Sequence, residues 1–136
     1  MTGYAFGQPG YGLTRTLPNT TLDDAKARVT ETLAAQGFGV LNEIDLRTTL
    51  KNKLDVDVDP YIILGACNPR YAHMALNNEP GIGLLLPCNV VVAQGTDGVV
   101  VSAIDPRPMF KLVNNPEVAP LAEEVAQCLQ AALDAL

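Results

Sequence analysis

Apolar and polar residues change rhythm several times along the chain, and each rhythm predicts an element. Residues 11–17 read as a first, edge strand, stopped by Pro18 and Asn19. Leu22, Ala25, Val29, Leu33 and Gln36 then fall at helical spacing. Thr21 with Asp24 approximates a capping box before that run, and Gly37 suits the position past the C-cap. Phe38, Val40 and Ile44 share one parity, with Asn42 interrupting, which predicts a strand. Asp45 can cap a short helix in which Leu46, Leu50 and Leu54 recur every four residues.

Residues 61–66 are continuously apolar, as in a buried strand. Asn68 and Pro69 follow as N-cap and first helical residue, and the helix they open should run to about Asn77 before Pro80-Gly81 stops it. Residues 82–93 form a second apolar run, expected as a strand broken, bulged or placed at an edge by Pro87. Residues 94–98 read as a hairpin loop into a strand over 99–104, ended by Asp105-Pro106-Arg107-Pro108. Asn115-Pro116-Glu117 should open the last helix, with Val118, Leu121, Val125, Cys128, Ala132 and Leu136 as its apolar stripe. A late ββ hairpin argues against a wholly parallel sheet. The expectation is therefore α+β: a two-layer sandwich with a mostly antiparallel sheet and helices on one face. Residues 1–10, rich in glycine, read as a flexible N-terminal arm, and residues 11–136 as one α+β domain.

Composition narrows the classes. Hydrophobic residues make up 48% of the 136 positions but aromatics only 5%, with no tryptophan, so the core must be aliphatic. The net charge is −6 and no basic run occurs, which argues against nucleic acid and against an anionic membrane surface as partners. No stretch approaches the roughly 18 apolar residues of a membrane span. The first residues lack the charged and apolar regions of a secretory signal, and the cysteine count is three, so the expected location is a reducing cytoplasm with free thiols.

Candidate chemistry centres on two cysteines at element boundaries, each followed by asparagine: Cys67-Asn68-Pro69 and Cys88-Asn89. Cys67 precedes a helix N-terminus, where partial positive charge makes a thiol a better nucleophile and metal ligand. Cys88 follows a proline that disrupts strand pairing and can re-aim a side chain. If the two apolar runs are neighbouring strands, the thiols could converge at one sheet end. The contrary reading is that these are small buried hydrophobes, as the helical stripe suggests for Cys128. His73, the single histidine, shares a helix face with Arg70 and Asn77 and could join the thiols at a soft-metal site. The alternating Asp55, Asp57 and Asp59 lack the glycine and distant glutamate of a calcium loop and read as a solvated acidic turn. Short-spaced zinc pairs, phosphate loops and hydrolase elbows are missing from the sequence.

Phe38-Gly39-Val40-Leu41-Asn42-Glu43-Ile44-Asp45 and Pro60-Tyr61-Ile62-Ile63-Leu64-Gly65-Ala66-Cys67-Asn68-Pro69 carry a resemblance. Pro80-Gly81-Ile82-Gly83-Leu84-Leu85-Leu86-Pro87-Cys88-Asn89-Val90-Val91-Val92 and Asp105-Pro106 extend it. The chain resembles the bacterial and archaeal family catalogued as domain of unknown function 302. The resemblance implies an α+β sandwich similar to the TATA-box-binding-protein clamp topology, often paired as a homodimer, and implies no reaction.

The expected function is that of a small cytoplasmic binding protein, with a ligand or soft-ion site at Cys67, Asn68, Pro69, Cys88 and Asn89. For a metal, Cys67, Cys88 and His73 would be ligands, and zinc or copper the ions that thiolates favour. The alternatives are a thiol-dependent enzyme or redox protein using Cys67, and a partner-interaction domain with inert cysteines.

Overall fold

In the computed structural model, which describes residues 3–136, the first helix forms as its caps dictate. Thr21 accepts a hydrogen bond from the Asp24 amide at 3.1 Å at the start of α1 (Leu22–Ala35). At its far end Gly37 adopts φ +87°. The Phe38 amide donates to the Leu33 carbonyl and the Gly37 amide to that of Ala34, at 2.9 and 3.0 Å, a Schellman closure.

Five strands form one sheet: β1 (Gly12–Leu17), β2 (Gly39–Asp45), β3 (Tyr61–Cys67), β4 (Cys88–Gln94) and β5 (Val99–Ile104). Their order is β1-β5-β4-β3-β2 and every pairing is antiparallel. Side chains alternate between the two faces. Leu64, Ala66, Val90, Val92, Val101 and Ala103 share one face and are buried. Against them pack Ala25, Val29 and Leu33 of α1 and Val125, Leu129 and Leu133 of α5 (Ala119–Asp134). Burying one such aliphatic side chain stabilises by about 1.5–3 kcal/mol, and a one-residue slip would turn a whole strand's set to the wrong face. The register is fixed by that penalty.

The other face carries Thr14, Ser102, Asn89, Val91, Ile63 and Gly65, set by the same register. Residues 3–10 of the arm run across its β1–β5–β4 half, while the first two arm residues lie outside the described ones. The Tyr4 amide donates to the Gln94 carbonyl at 2.9 Å and the Thr96 amide to that of Tyr4 at 3.1 Å.

Three segments depart from their sequence expectation. Only the second half of the run 82–93 is a strand: Pro80–Leu85 winds into a 3₁₀ turn, and Pro87, with a cis bond to Leu86, breaks the chain before β4. The turn half holds Gly81, Gly83 and γ-branched leucines, with Ile82 its one β-branched residue, and the strand half holds β-branched valines, which suit a pleated surface. The last helix begins later than Asn115-Pro116 suggests. The Asn115 carboxamide oxygen instead accepts the Glu117 amide at 3.0 Å in a local turn, and α5 opens at Ala119 with Pro120 in its first turn. Pro106–Phe110 forms a short helix, α4, because Asp105 accepts the Arg107 amide at 3.0 Å.

α2 (Leu46–Leu54) is capped as expected, with the Thr48 amide donating to Asp45 at 3.0 Å. The acidic turn after it is solvated, and Lys51 bridges Asp55 and Asp57 at 3.0 and 3.3 Å. No helix among the described residues is long and apolar enough to cross a membrane.

Leu64 on β3 is 1% exposed within this core. Leu64→Ala is expected to destabilise by about 2–5 kcal/mol, measured as a lower urea midpoint at unchanged slope.

Candidate functional site

The two apolar runs that carry the cysteines contribute adjacent strands. β3 ends at Cys67 and β4 begins at Cys88, so the antiparallel pairing brings both to one end of the sheet. Cys88 lies directly opposite Ala66, on the helix-covered face, and is 6% exposed. Cys67 is the next residue along, opposite Gly39 on β2, and is half-buried where the strand gives way to α3 (Pro69–Asn78). Alternation assigns it the opposite parity from Ala66. Both cysteines nevertheless border one small pocket of about 30 Å³ beneath α3. All three cysteines of the chain are free thiols.

Phe38, Tyr71, Ala75 and Val125 belong to its apolar lining. Its aliphatic and aromatic character governs the chemistry of Cys88. Burial, and secondly the nearby Cys67, push the Cys88 thiol up from an ordinary 9.0 to about 11. A thiol in that state is neutral at physiological pH, so it is neither a nucleophile nor a ready metal ligand.

The remaining predicted site residues divide. Asn68 borders the cavity, but its side chain does not cap α3. Its amide nitrogen donates to the Gln36 carbonyl at 3.2 Å, tying the end of α1 to the start of α3. Pro69 is exposed at the first position of α3. Asn89 is exposed on the opposite face of the sheet from Cys88. His73 is exposed and sits 3.5 Å from Asn77, and it does not border the cavity. Among the described residues no three His, Cys, Asp or Glu side chains converge as a metal site. The structure thus brings Cys67, Asn68 and Cys88 together and leaves Pro69, Asn89 and His73 outside.

Sequence reasoning missed Tyr71, Ala72 and Ala75, which form the face of α3 over the cavity. The signal was present: Tyr71 and Ala75 are four residues apart, the spacing of one helix face. It also missed the Asp105–Arg107 clamp at the end of β5. Arg107 donates from Nε and Nη2 to the two carboxylate oxygens at 3.0 and 2.9 Å. Those bonds hold the Asp105 carboxyl below its usual range despite partial burial.

A family profile described as "Domain of unknown function DUF302" matches residues 13–136. The chain is similar to a solved structure titled as an uncharacterized conserved DUF302 protein from Bacillus stearothermophilus. The two share 29% identity over 93% of this chain and 98% of the other, with a TM-score of 0.86. No curated protein matches the chain.

The raised Cys88 value has a consequence for stability. The neutral thiol favours the folded state, so its contribution is intact below pH 9 and is lost as pH climbs toward about 11. The difference across that window is on the order of 2–3 kcal/mol. Urea unfolding at a series of alkaline pH values should show the decline, and Cys88→Ala should flatten it relative to the unsubstituted protein.

Proposed function

The chain belongs to the DUF302 family, and we propose that it works as a small homodimeric binding protein that holds an uncharged ligand. The observation that carries the assembly is α2, a nine-residue helix with no buried residue. It stands beside β2, an edge strand on which only Val40 is half-covered. Leu41 and Leu54 are 68% and 66% exposed there, and Ile44 and Val56 are 42% and 41% exposed. An edge strand offers unpaired backbone groups to another strand, and exposed apolar side chains beside it favour a covered state. Arg47, Lys51 and Lys53 adjoin Asp55 and Asp57, so the patch carries both signs. A two-fold contact needs that kind of self-complementarity. Antiparallel pairing of β2 with the same strand of a second copy continues the sheet across the dimer.

The ligand reading is supported by the Cys67–Cys88 cavity. Its volume of about 30 Å³ accepts a water-sized guest, and its lining is apolar. A larger apolar ligand enters when α3 lifts, and α3 is lightly held, with Ala75 its one buried residue. Zinc or cuprous copper on the two thiolates is the competing ligand, and the neutral Cys88 thiol and the distant His73 count against it. A thiol enzyme would have to rely on half-buried Cys67 without His73 as its base. Free thiols favour a reducing compartment such as the cytoplasm.

Light scattering on the purified chain is expected to give twice the 14.4 kDa of one copy. Leu41→Glu combined with Leu54→Glu should yield a folded monomer; a wild type that is monomeric at micromolar concentration removes the dimer. For the ligand, xenon under pressure should shift the NMR signals of Ala66, Ala75 and Val125. Anaerobic titration should show no stoichiometric zinc or copper. Tight metal binding abolished by Cys67→Ser with Cys88→Ser would replace the apolar ligand by a metal.

A further inference from the structure

Aromatic residues are scarce in this chain, four tyrosines and three phenylalanines, yet most of them gather at one place away from the thiols. Phe6 and Tyr11 from the arm and Tyr61 from β3 border a cavity of about 290 Å³ on the open face of the sheet. Tyr4 meets Tyr61 edge to face, with ring centroids 5.3 Å apart. Three of these aromatics precede residue 13, where the family match begins. The arm thus adds an aromatic roof to a sheet face that the family region alone leaves open.

The floor beneath that roof is polar in two places. Asn89 and Ser102 both border the cavity, from β4 and β5. The Ser102 hydroxyl is 2.7 Å from that of Thr14, which orients it. Among the described residues no Asp, Glu, Lys, Arg or His lines the space. A charged ligand would be desolvated there without a counter-charge, which is costly. A flat ring gains from stacking on aromatic faces, and its edge can meet a carboxamide and a hydroxyl. The volume lies near the lower limit of small-molecule pockets, about 300 Å³, which suits one or two fused rings and excludes a dinucleotide.

The arm is held at its ends. The Gly3 amide donates to Asp59 at 2.8 Å, Tyr4 exchanges backbone bonds with Gln94 and Thr96, and the Gly12 amide donates to the Pro9 carbonyl at 3.0 Å. Residues 5–8 make no backbone hydrogen bond to the sheet among the described residues. That span can bow outward to admit a ligand while both anchors stay in place. The Tyr61 hydroxyl is pushed above its usual range by burial, and then by Tyr4 and Tyr11, so it stays a hydrogen-bond donor.

We infer that the arm and the open sheet face form a second binding site, which takes a flat, uncharged heteroaromatic ring. The ring stacks under Phe6 and Tyr11, and Asn89 and Ser102 read its edge. This site is on the opposite face from the Cys67–Cys88 cavity and stands or falls independently of it.

Adenine serves as the probe, with benzoate as a charged ring of similar size, titrated into the full-length protein and followed by NMR shifts. Adenine should bind saturably and shift the signals of Asn89, Ser102 and Phe6, and benzoate should not. Phe6→Ala should weaken adenine by about tenfold, the scale of one lost stacking contact, with Phe6→Tyr retaining it, and Asn89→Ala should weaken it by about tenfold, the scale of one lost hydrogen bond. Both positions are peripheral to the core, and matched thermal melting will show that the variants are folded. The inference is overturned if adenine does not saturate, if benzoate binds equally well, or if neither alanine substitution weakens binding.

Discussion

Everything in this fold depends on one face of one antiparallel sheet being covered. With no tryptophan and few aromatics, the core is built from small aliphatic side chains, and such chains fill space only when they interdigitate closely. Val90 and Val92 on β4 are fully buried because β3 and β5 flank that strand and α1 and α5 lie over it. That requirement sets the register of the strands and the rotation of the helices. It also places Cys88, the first residue of β4, against the core.

The same arrangement explains the chemistry of the thiols. Cys88 lies on the parity that must be buried, so its sulfur loses water and its proton becomes harder to remove. Cys67 lies one step beyond the residue opposite it, where the strand ends, and keeps partial exposure. Two cysteines with the same sequence context, each followed by asparagine, therefore end in different environments. A single burial rule separates them.

Covering one face leaves the other face and the β2 edge to be dealt with. The arm partly covers the β1–β5–β4 half of the open face, where Val100 and Ser102 are buried. β2 and α2 receive no such cover: α2 is held by its Asp45 cap, the Lys51–Asp55 pair and light packing on β3 through half-buried Leu46 and Leu50. An element packed so lightly gains most from an external partner.

Much of the fold was legible in the sequence because its signals are local. The caps at Thr21 and Asp45, the Gly37 closure and the alternation in the strands depend on residues within one turn or one strand. The adjacency of the two cysteine-bearing strands was a conditional expectation, and the β3–β4 pairing decided it. Errors arose where two local signals competed. Pro116 and Pro120 both suit a helix start, and residues 82–93 are uniformly apolar although only their β-branched half pairs into the sheet. The site was less legible, because which side of α3 faces inward is set by α5 and the sheet, elements distant in sequence. Packing turned Tyr71 and Ala75 inward and left His73 outside, and register put Asn89 on the other face from Cys88. By itself the sequence determined most of the elements and the aliphatic core, while the β3–β4 pairing decided that the thiols meet at one sheet end. The tertiary structure alone decided which side chains share a cavity, because that depends on how separate elements rotate to cover one another.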